Sequence, residues 1–196
     1  MRIAFRLQVV DANLLPPSPF LLCANHASYL DPFAIAAALP HRRLRDTYWG
    51  GWTGLLFANR WQRLFSRVAR VIPVDPDRAM ITSLALASVV LARGKNLVWF
   101  PEGERSLDGR LLPFRQGIAY VLERNPVAIV PACVSGAFEA WPPGTRFPRR
   151  RPITVRFGAA LDAARLLAVA NGQPRHECIV ESVRDAIAQL APQNRR

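Results

Sequence analysis

The sequence predicts one α/β domain whose central sheet, mostly parallel or mixed, is covered by helices on both faces. Two observations predict it. Short, continuous apolar runs that read as buried strands alternate with longer segments of helical character, the pattern that builds a sheet between two helical layers. The 196 residues, 51% of them apolar, also supply one sizeable core rather than two.

The elements follow in chain order. Pro16-Pro17-Ser18-Pro19 closes a short leader, and Phe20 to Ala24 is a strand of the fully buried kind. A polar turn, Asn25 to Asp31, leads through Pro32, a residue suited to a first helical position, into a short helix over Phe33 to Leu39. Arg42 to Trp49 reads as a short strand with basic edges, after which Gly50-Gly51 opens a helix from Trp52 to Ala69. Val71 to Val74 is a strand that Pro73 assigns to an edge or an end. Asp75-Pro76-Asp77 carries helix-start chemistry for a helix through Arg93, which Gly94 stops. Strands at Asn96 to Phe100, Val127 to Val134 and Ile153 to Phe157 are separated by a helix over Phe114 to Arg124 and a turn at Trp141 to Gly144. An amphipathic helix, His176 to Leu190, closes the chain.

Charge and cysteine content narrow the function classes. Basic residues outnumber acidic ones 26 to 14, for a net charge of +12, and Lys95 is the single lysine. Arginine matches phosphate with a planar fork of donors, so the partner is expected to be anionic. The arginines are dispersed and not interleaved with an aromatic stacking platform, which argues against nucleic acid. Cys23, Cys133 and Cys178 have no metal-ligand spacing and sit among apolar neighbours, as reduced, buried thiols of the cytoplasm do. The longest nearly uncharged apolar run, Ile81 to Ala92, has twelve residues, short of the roughly 20 that cross a bilayer. No secretory signal is read at the amino terminus.

Two strand-end loops carry chemistry. In the first, four residues separate His26 from Asp31, so a compact turn can bring the carboxylate to one ring nitrogen and leave the other to take a proton from a hydroxyl. Taken alone, such a pair is also what a capping aspartate beside a surface histidine looks like. Ser28 lacks the glycine-flanked elbow of a nucleophile. In the second loop, Phe100-Pro101-Glu102-Gly103-Glu104-Arg105-Ser106, a glycine permits close backbone approach and an arginine can grip a phosphate. Arg115 and Gly117 follow shortly after, and together these residues suggest an anion site.

In this order the two loops resemble the signature of the glycerolipid acyltransferases, the family of 1-acylglycerol-3-phosphate acyltransferase. Asn25-His26, four residues and Asp31 resemble its H-x-x-x-x-D block. Phe100 to Gly103 with Arg105-Ser106 resembles its third block, with Glu104 where threonine is usual. Val71 to Asp75 and Val130 to Val134 stand at the positions of the second and fourth. Where the second block is often closed by arginine this chain has Pro76, and Arg78 or Arg70 would replace it.

The resemblance implies a glycerol-3-phosphate acyltransferase-like fold over a single domain, residues 1–196, with its motifs between about 14 and 161. It implies transfer of a fatty acyl group from acyl-CoA or acyl carrier protein to the hydroxyl of a lysophospholipid, 1-acylglycerol-3-phosphate first among them. His26 and Asp31 would be catalytic. Glu102, Gly103, Arg105, Ser106, Arg70, Arg78 and Arg115 would bind substrate, without metal or resident cofactor. Other acceptors (lyso-ornithine lipid, other lysophospholipids, glycerol 3-phosphate), a thioester hydrolase on the same fold and a basic nucleic-acid-binding module are the alternatives. The expected location is cytoplasmic, peripheral on the inner face of the cell membrane. For such attachment the Trp52 to Ala69 segment either enters the headgroup boundary beside Arg60, Arg63 and Arg67, or is a core helix with a solvated basic edge.

Overall fold

A computed structural model describes residues 5–75, 79–168 and 175–192. The sheet is built around β2 (Phe20–Ala24), whose five residues are all buried. Successive side chains of a strand point to opposite faces. Phe20, Leu22 and Ala24 therefore enter one core, and Leu21 and Cys23 the other. Its parallel neighbours are β5 (Asn96–Trp99) on one side and β6 (Ala128–Ser135) on the other. Beyond β5 lie β3 (Thr47–Trp52) and, at the edge, β4 (Val71–Val74), both parallel. Pro73 thus occupies an edge strand, where a missing N–H is tolerated.

The other flank makes the sheet mixed. The outer side of β6 is shared by two antiparallel strands, β7 (Thr154–Phe157) against its carboxyl half and β8 (Leu161–Asp162) against its start. β1 (Gln8–Val10) pairs in parallel with β7 and ends the sheet, in what the sequence reads as a leader. Helices cover both faces. α5 (Met80–Ala92), α6 (Gly117–Arg124), α8 (Ala163–Ala168) and α9 (Arg175–Leu190) pack on the Leu21 face. α1 (Asp31–Ala38) and α7 (Ala137–Ala140) pack on the Phe20 face.

Several expectations are corrected. Residues 42–45 are not a strand: His41–Arg45 form α2, started by Pro40, and β3 begins only at Thr47. Gly50-Gly51 does not open a helix but lies inside β3, because neighbouring side chains come too close for a Cβ. A Cβ on Gly50 would stand 2.9 Å from the Trp99 ring, and one on Gly51 2.4 Å from Val71. Trp52 to Ala69 is therefore not one helix. α3 (Thr53–Leu56) and α4 (Arg60–Val68) are separated by a break at which Asn59 and Gln62 form a capping box. Nor is α4 a core helix, since Trp61, Leu64, Phe65 and Val68 are all exposed. Cys23 and Cys133 are buried as expected, whereas Cys178 is only partly so, and all three are free. α5 starts at Met80, later than the Asp75-Pro76-Asp77 signal; Pro76, Asp77 and Arg78 lie outside the described residues.

Candidate active site

β2 and β5 are adjacent and parallel, so the loops that follow them emerge at the same edge of the sheet, where ligands of α/β domains bind. The loop after β2 is pinned first by Asn25. Its amide donates to the Val134 carbonyl at 3.0 Å and accepts from the Val134 N–H at 2.7 Å, tying the loop to β6. Asp31 opens α1 and is fully buried. Its Oδ2 accepts from the N–H groups of Ala27 and Ser28, both at 2.7 Å, and lies 2.8 Å from His26 Nδ1. A carboxylate oxygen gathered among three donors makes Nδ1 the protonated ring nitrogen and leaves Nε2 with its lone pair.

The second loop holds the histidine from both sides of its main chain. Glu102 Oε1 accepts from the His26 N–H at 2.6 Å, and the Ser106 N–H donates to the His26 carbonyl at 2.8 Å. The other Glu102 oxygen accepts from the Leu112 N–H at 2.8 Å. The imidazole stacks on Phe100, with ring centroids 4.2 Å apart, and remains 20% exposed. Among the described residues nothing hydrogen-bonds Nε2. Burial pushes the Glu102 carboxyl up to about 7, against the two N–H donors that favour its charged form.

Arg105 lays its guanidinium over the Tyr29 ring, 3.8 Å from the centroid, and its Nη1 is buried without a partner among the described residues. An unmet buried donor is costly, and this one stands in the loop that holds His26. Gly103 has φ +77°, and a Cβ there would stand 2.5 Å from Arg115 Nε, so the glycine lets Arg115 lie across the loop. Arg115 also reaches within 3.9 Å of Glu104. Ser106 is buried and donates its hydroxyl to Asp108.

The structure thus brings His26, Asp31, Glu102, Gly103, Arg105, Ser106 and Arg115 together. It does not bring Arg70. That residue directly precedes β4, so it lies at the amino edge of the parallel strands, opposite His26, where it lines a basic cavity of about 540 Å³ with Arg42, Arg45, Tyr48 and Lys95. Arg78 lies outside the described residues. Ser28 is fully buried, with its hydroxyl donated to the Trp141 carbonyl at 2.7 Å, so it supports the turn instead of facing a substrate. Burial raises the thiols of Cys23 and Cys133, the latter to about 11, which keeps both protonated.

Phe100, Asn25 and Tyr29 acquire roles that the sequence reading does not assign. A polar residue opening the loop and an aromatic one closing β5 are the signals that stood nearest to them.

A model of the acyltransferase family matches residues 6–135. A 1-acyl-sn-glycerol-3-phosphate acyltransferase of Limnanthes douglasii is 30% identical over 138 residues, covering 68% of this chain and 47% of that protein. The alpha enzyme of that name from Homo sapiens is 32% identical over 138 residues, covering 66% of this chain and 46% of that protein. The chain spans about half the length of these curated relatives. In fold it is similar to the crystal structure of the 1-acyl-sn-glycerophosphate acyltransferase PlsC of Thermotoga maritima, with a TM-score of 0.75 at 18% identity over 97% of this chain and 74% of that one. A match over residues 6–135, which include both loops of the site, shows that the chain belongs to the acyltransferase family.

Proposed function

We propose that the protein transfers a fatty acyl group from a thioester of coenzyme A or acyl carrier protein to the free hydroxyl of 1-acylglycerol-3-phosphate. The observation that carries this reading is the His26–Asp31 pair at 2.8 Å, with Nε2 left unpaired among the described residues. Nε2 takes the acceptor's hydroxyl proton as the oxygen attacks the thioester carbonyl. The tetrahedral intermediate then expels the thiolate, the C–S bond breaks, and the imidazolium returns the proton to sulfur. Asp31 supports the imidazolium throughout. Direct attack calls on no acyl-enzyme and no cofactor beyond the acyl donor. Arg105, with its unmet Nη1, and Arg115 are the groups assigned to the acceptor phosphate.

The acceptor lies in a membrane, and the protein is assigned to the inner face of the cell membrane. Among the described residues no helix is long and apolar enough to cross it.

The test is an assay of purified protein with a panel of lysophospholipids, lyso-ornithine lipid and glycerol 3-phosphate, offered acyl-CoA or acyl carrier protein. Thiol release should depend on acceptor; acceptor-independent release would assign a hydrolase instead. His26→Ala should lower turnover by at least about 10²–10⁴-fold, with the fold retained. Asp31→Asn, which keeps an oxygen for Ala27 and Ser28 but loses the charge, should also be severe. Near-normal turnover in the His26 variant would end the proposal.

A further inference from the structure

Helix α4 presents its sides in the reverse of the usual order. A surface helix buries its apolar stripe and exposes its polar one. Here Ser66 is fully buried, its hydroxyl donating to the Leu56 carbonyl at 2.8 Å, and Gln62 is half-buried. Trp61, Leu64, Phe65 and Val68, spaced to share one side of the helix, are 68%, 53%, 52% and 75% exposed. Arg60, Arg63 and Arg67 run along the neighbouring strip, also exposed. Among the described residues none of these arginines is paired with a carboxylate. Arg63 donates to the Phe57 carbonyl and Arg60 lies over its neighbour's Trp61 ring.

The position of this face matters as much as its content. β3 is parallel to β5, and β5 to β2, so the carboxyl end of β3 lies at the same edge of the sheet as His26. Exposed Trp52 stands at that end, and α3 and α4 follow it, α4 leading back toward the amino edge at which β4 begins.

We infer that the outward face of α4, with Trp52, seats in the headgroup region of a lipid bilayer containing anionic lipid. Charge complementarity selects this occupant. An apolar, aromatic strip beside three exposed arginines that have no carboxylate partner among the described residues matches a layer with hydrocarbon below and phosphate above. A second copy of the chain on the same face would bring both sets of arginines into one interface, where they repel. The inference deepens the proposed function by naming the surface through which the acceptor is reached, and its test reads binding apart from catalysis.

The experiment is flotation of the full chain with phosphatidylcholine vesicles, with and without phosphatidylglycerol. The wild type should float with the anionic vesicles, less so in high salt. Trp61→Ser with Phe65→Ser should reduce partitioning by about tenfold or more. Arg60→Gln, Arg63→Gln and Arg67→Gln together should reduce it on the order of a hundredfold on anionic vesicles, at roughly fivefold per arginine. Phe147→Ser, equally exposed but outside α4, should change nothing. All the replaced side chains are exposed, so melting followed by circular dichroism should match the wild type. Flotation unaffected by the Trp61 and Phe65 replacements, a wild type that does not float, or a dimer broken by those replacements without any vesicle binding would each overturn the docking face. Acyl transfer by a chain that does not float would leave the proposed function standing without this surface; flotation without acyl transfer would do the opposite.

Discussion

Replacing Glu102 separates a clamp from a substrate ligand. Its two carboxylate oxygens accept from the His26 and Leu112 N–H groups at 2.6 and 2.8 Å, at a position only 2% exposed. Glu102→Ala leaves both donors unmet. At about 1–3 kcal/mol for each buried unsatisfied group, the loss is about 2–6 kcal/mol, reduced by the carboxylate that no longer has to be buried. Against a total stability of about 5–15 kcal/mol this is a large shift in unfolding midpoint. Glu102→Gln keeps one acceptor and sets an amide NH₂ against the other N–H, so it should lose about half as much. Its pH dependence also differs. Burial raises the carboxyl from 4.5 to about 7, so between those values the folded chain holds a proton that the unfolded chain has released. The associated stability is full below the lower value and lost as pH rises through the upper one. Gln does not titrate, and its deficit relative to wild type should narrow between pH 5 and pH 8. Urea unfolding at several pH values measures both effects, and turnover of the folded protein reports whether His26 has moved. A displacement of about 1 Å is worth on the order of 10²-fold in rate. Wild-type midpoints at every pH, combined with a raised acceptor KM, would refute the clamp and make Glu102 a substrate ligand after all.

Arg105→Lys keeps the charge but loses both the fork and the stacking on Tyr29, so it should raise the acceptor's KM, though less than Arg105→Ala, with the donor's KM nearly unchanged. Loss of donor affinity in both variants would reassign Arg105 to the phosphates of the carrier. Replacing Cys23, Cys133 and Cys178 by Ala should preserve the chemistry, because the two buried thiols are held protonated and attack is assigned to the acceptor hydroxyl. The Cys23 change should cost stability on the order of 1 kcal/mol for the small void it opens. An acyl-cysteine adduct seen by mass spectrometry would contradict this.

What the sequence disclosed of the fold and the site divides by range of interaction. β2, β5 and β6 are buried on both faces, and such strands read as unbroken apolar runs wherever they occur. β1 and β8, three and two residues long, exist because β7 and β6 lie beside them, and nothing local announces that. Gly50-Gly51 has the look of a breaker until Trp99 and Val71 are known to press on it. The site divides the same way. His26 and Asp31 are legible because Asp31 gathers the N–H groups of the turn it closes, a contact within six residues. Glu102 reads as a phosphate-loop residue because its partners, His26 and Leu112, are remote. The Arg70 assignment fails on a topological point: a residue just before a parallel strand lies at the edge opposite the strand-end loops.

Helix α4 shows where periodicity itself stops. Spacing establishes that Trp61, Leu64, Phe65 and Val68 share a side and that Gln62 and Ser66 share another, but not which side faces the sheet. What the neighbouring chain offers decides that. The Leu56 carbonyl at the end of α3 is one of the acceptors that a helix terminus leaves unpaired. Ser66 satisfies it with a 2.8 Å hydrogen bond, which phenylalanine or leucine at that position could not make. Such a bond contributes about 0.5–1.5 kcal/mol net, less than the roughly 1.5–3 kcal/mol that burying even one large apolar side chain would return, so it favours seating the hydroxyl side inward without offsetting the exposure of four apolar ones. The apolar exposure is the larger quantity and has no compensation within the described fold, which is the energetic reason for assigning that face to a surface outside the protein.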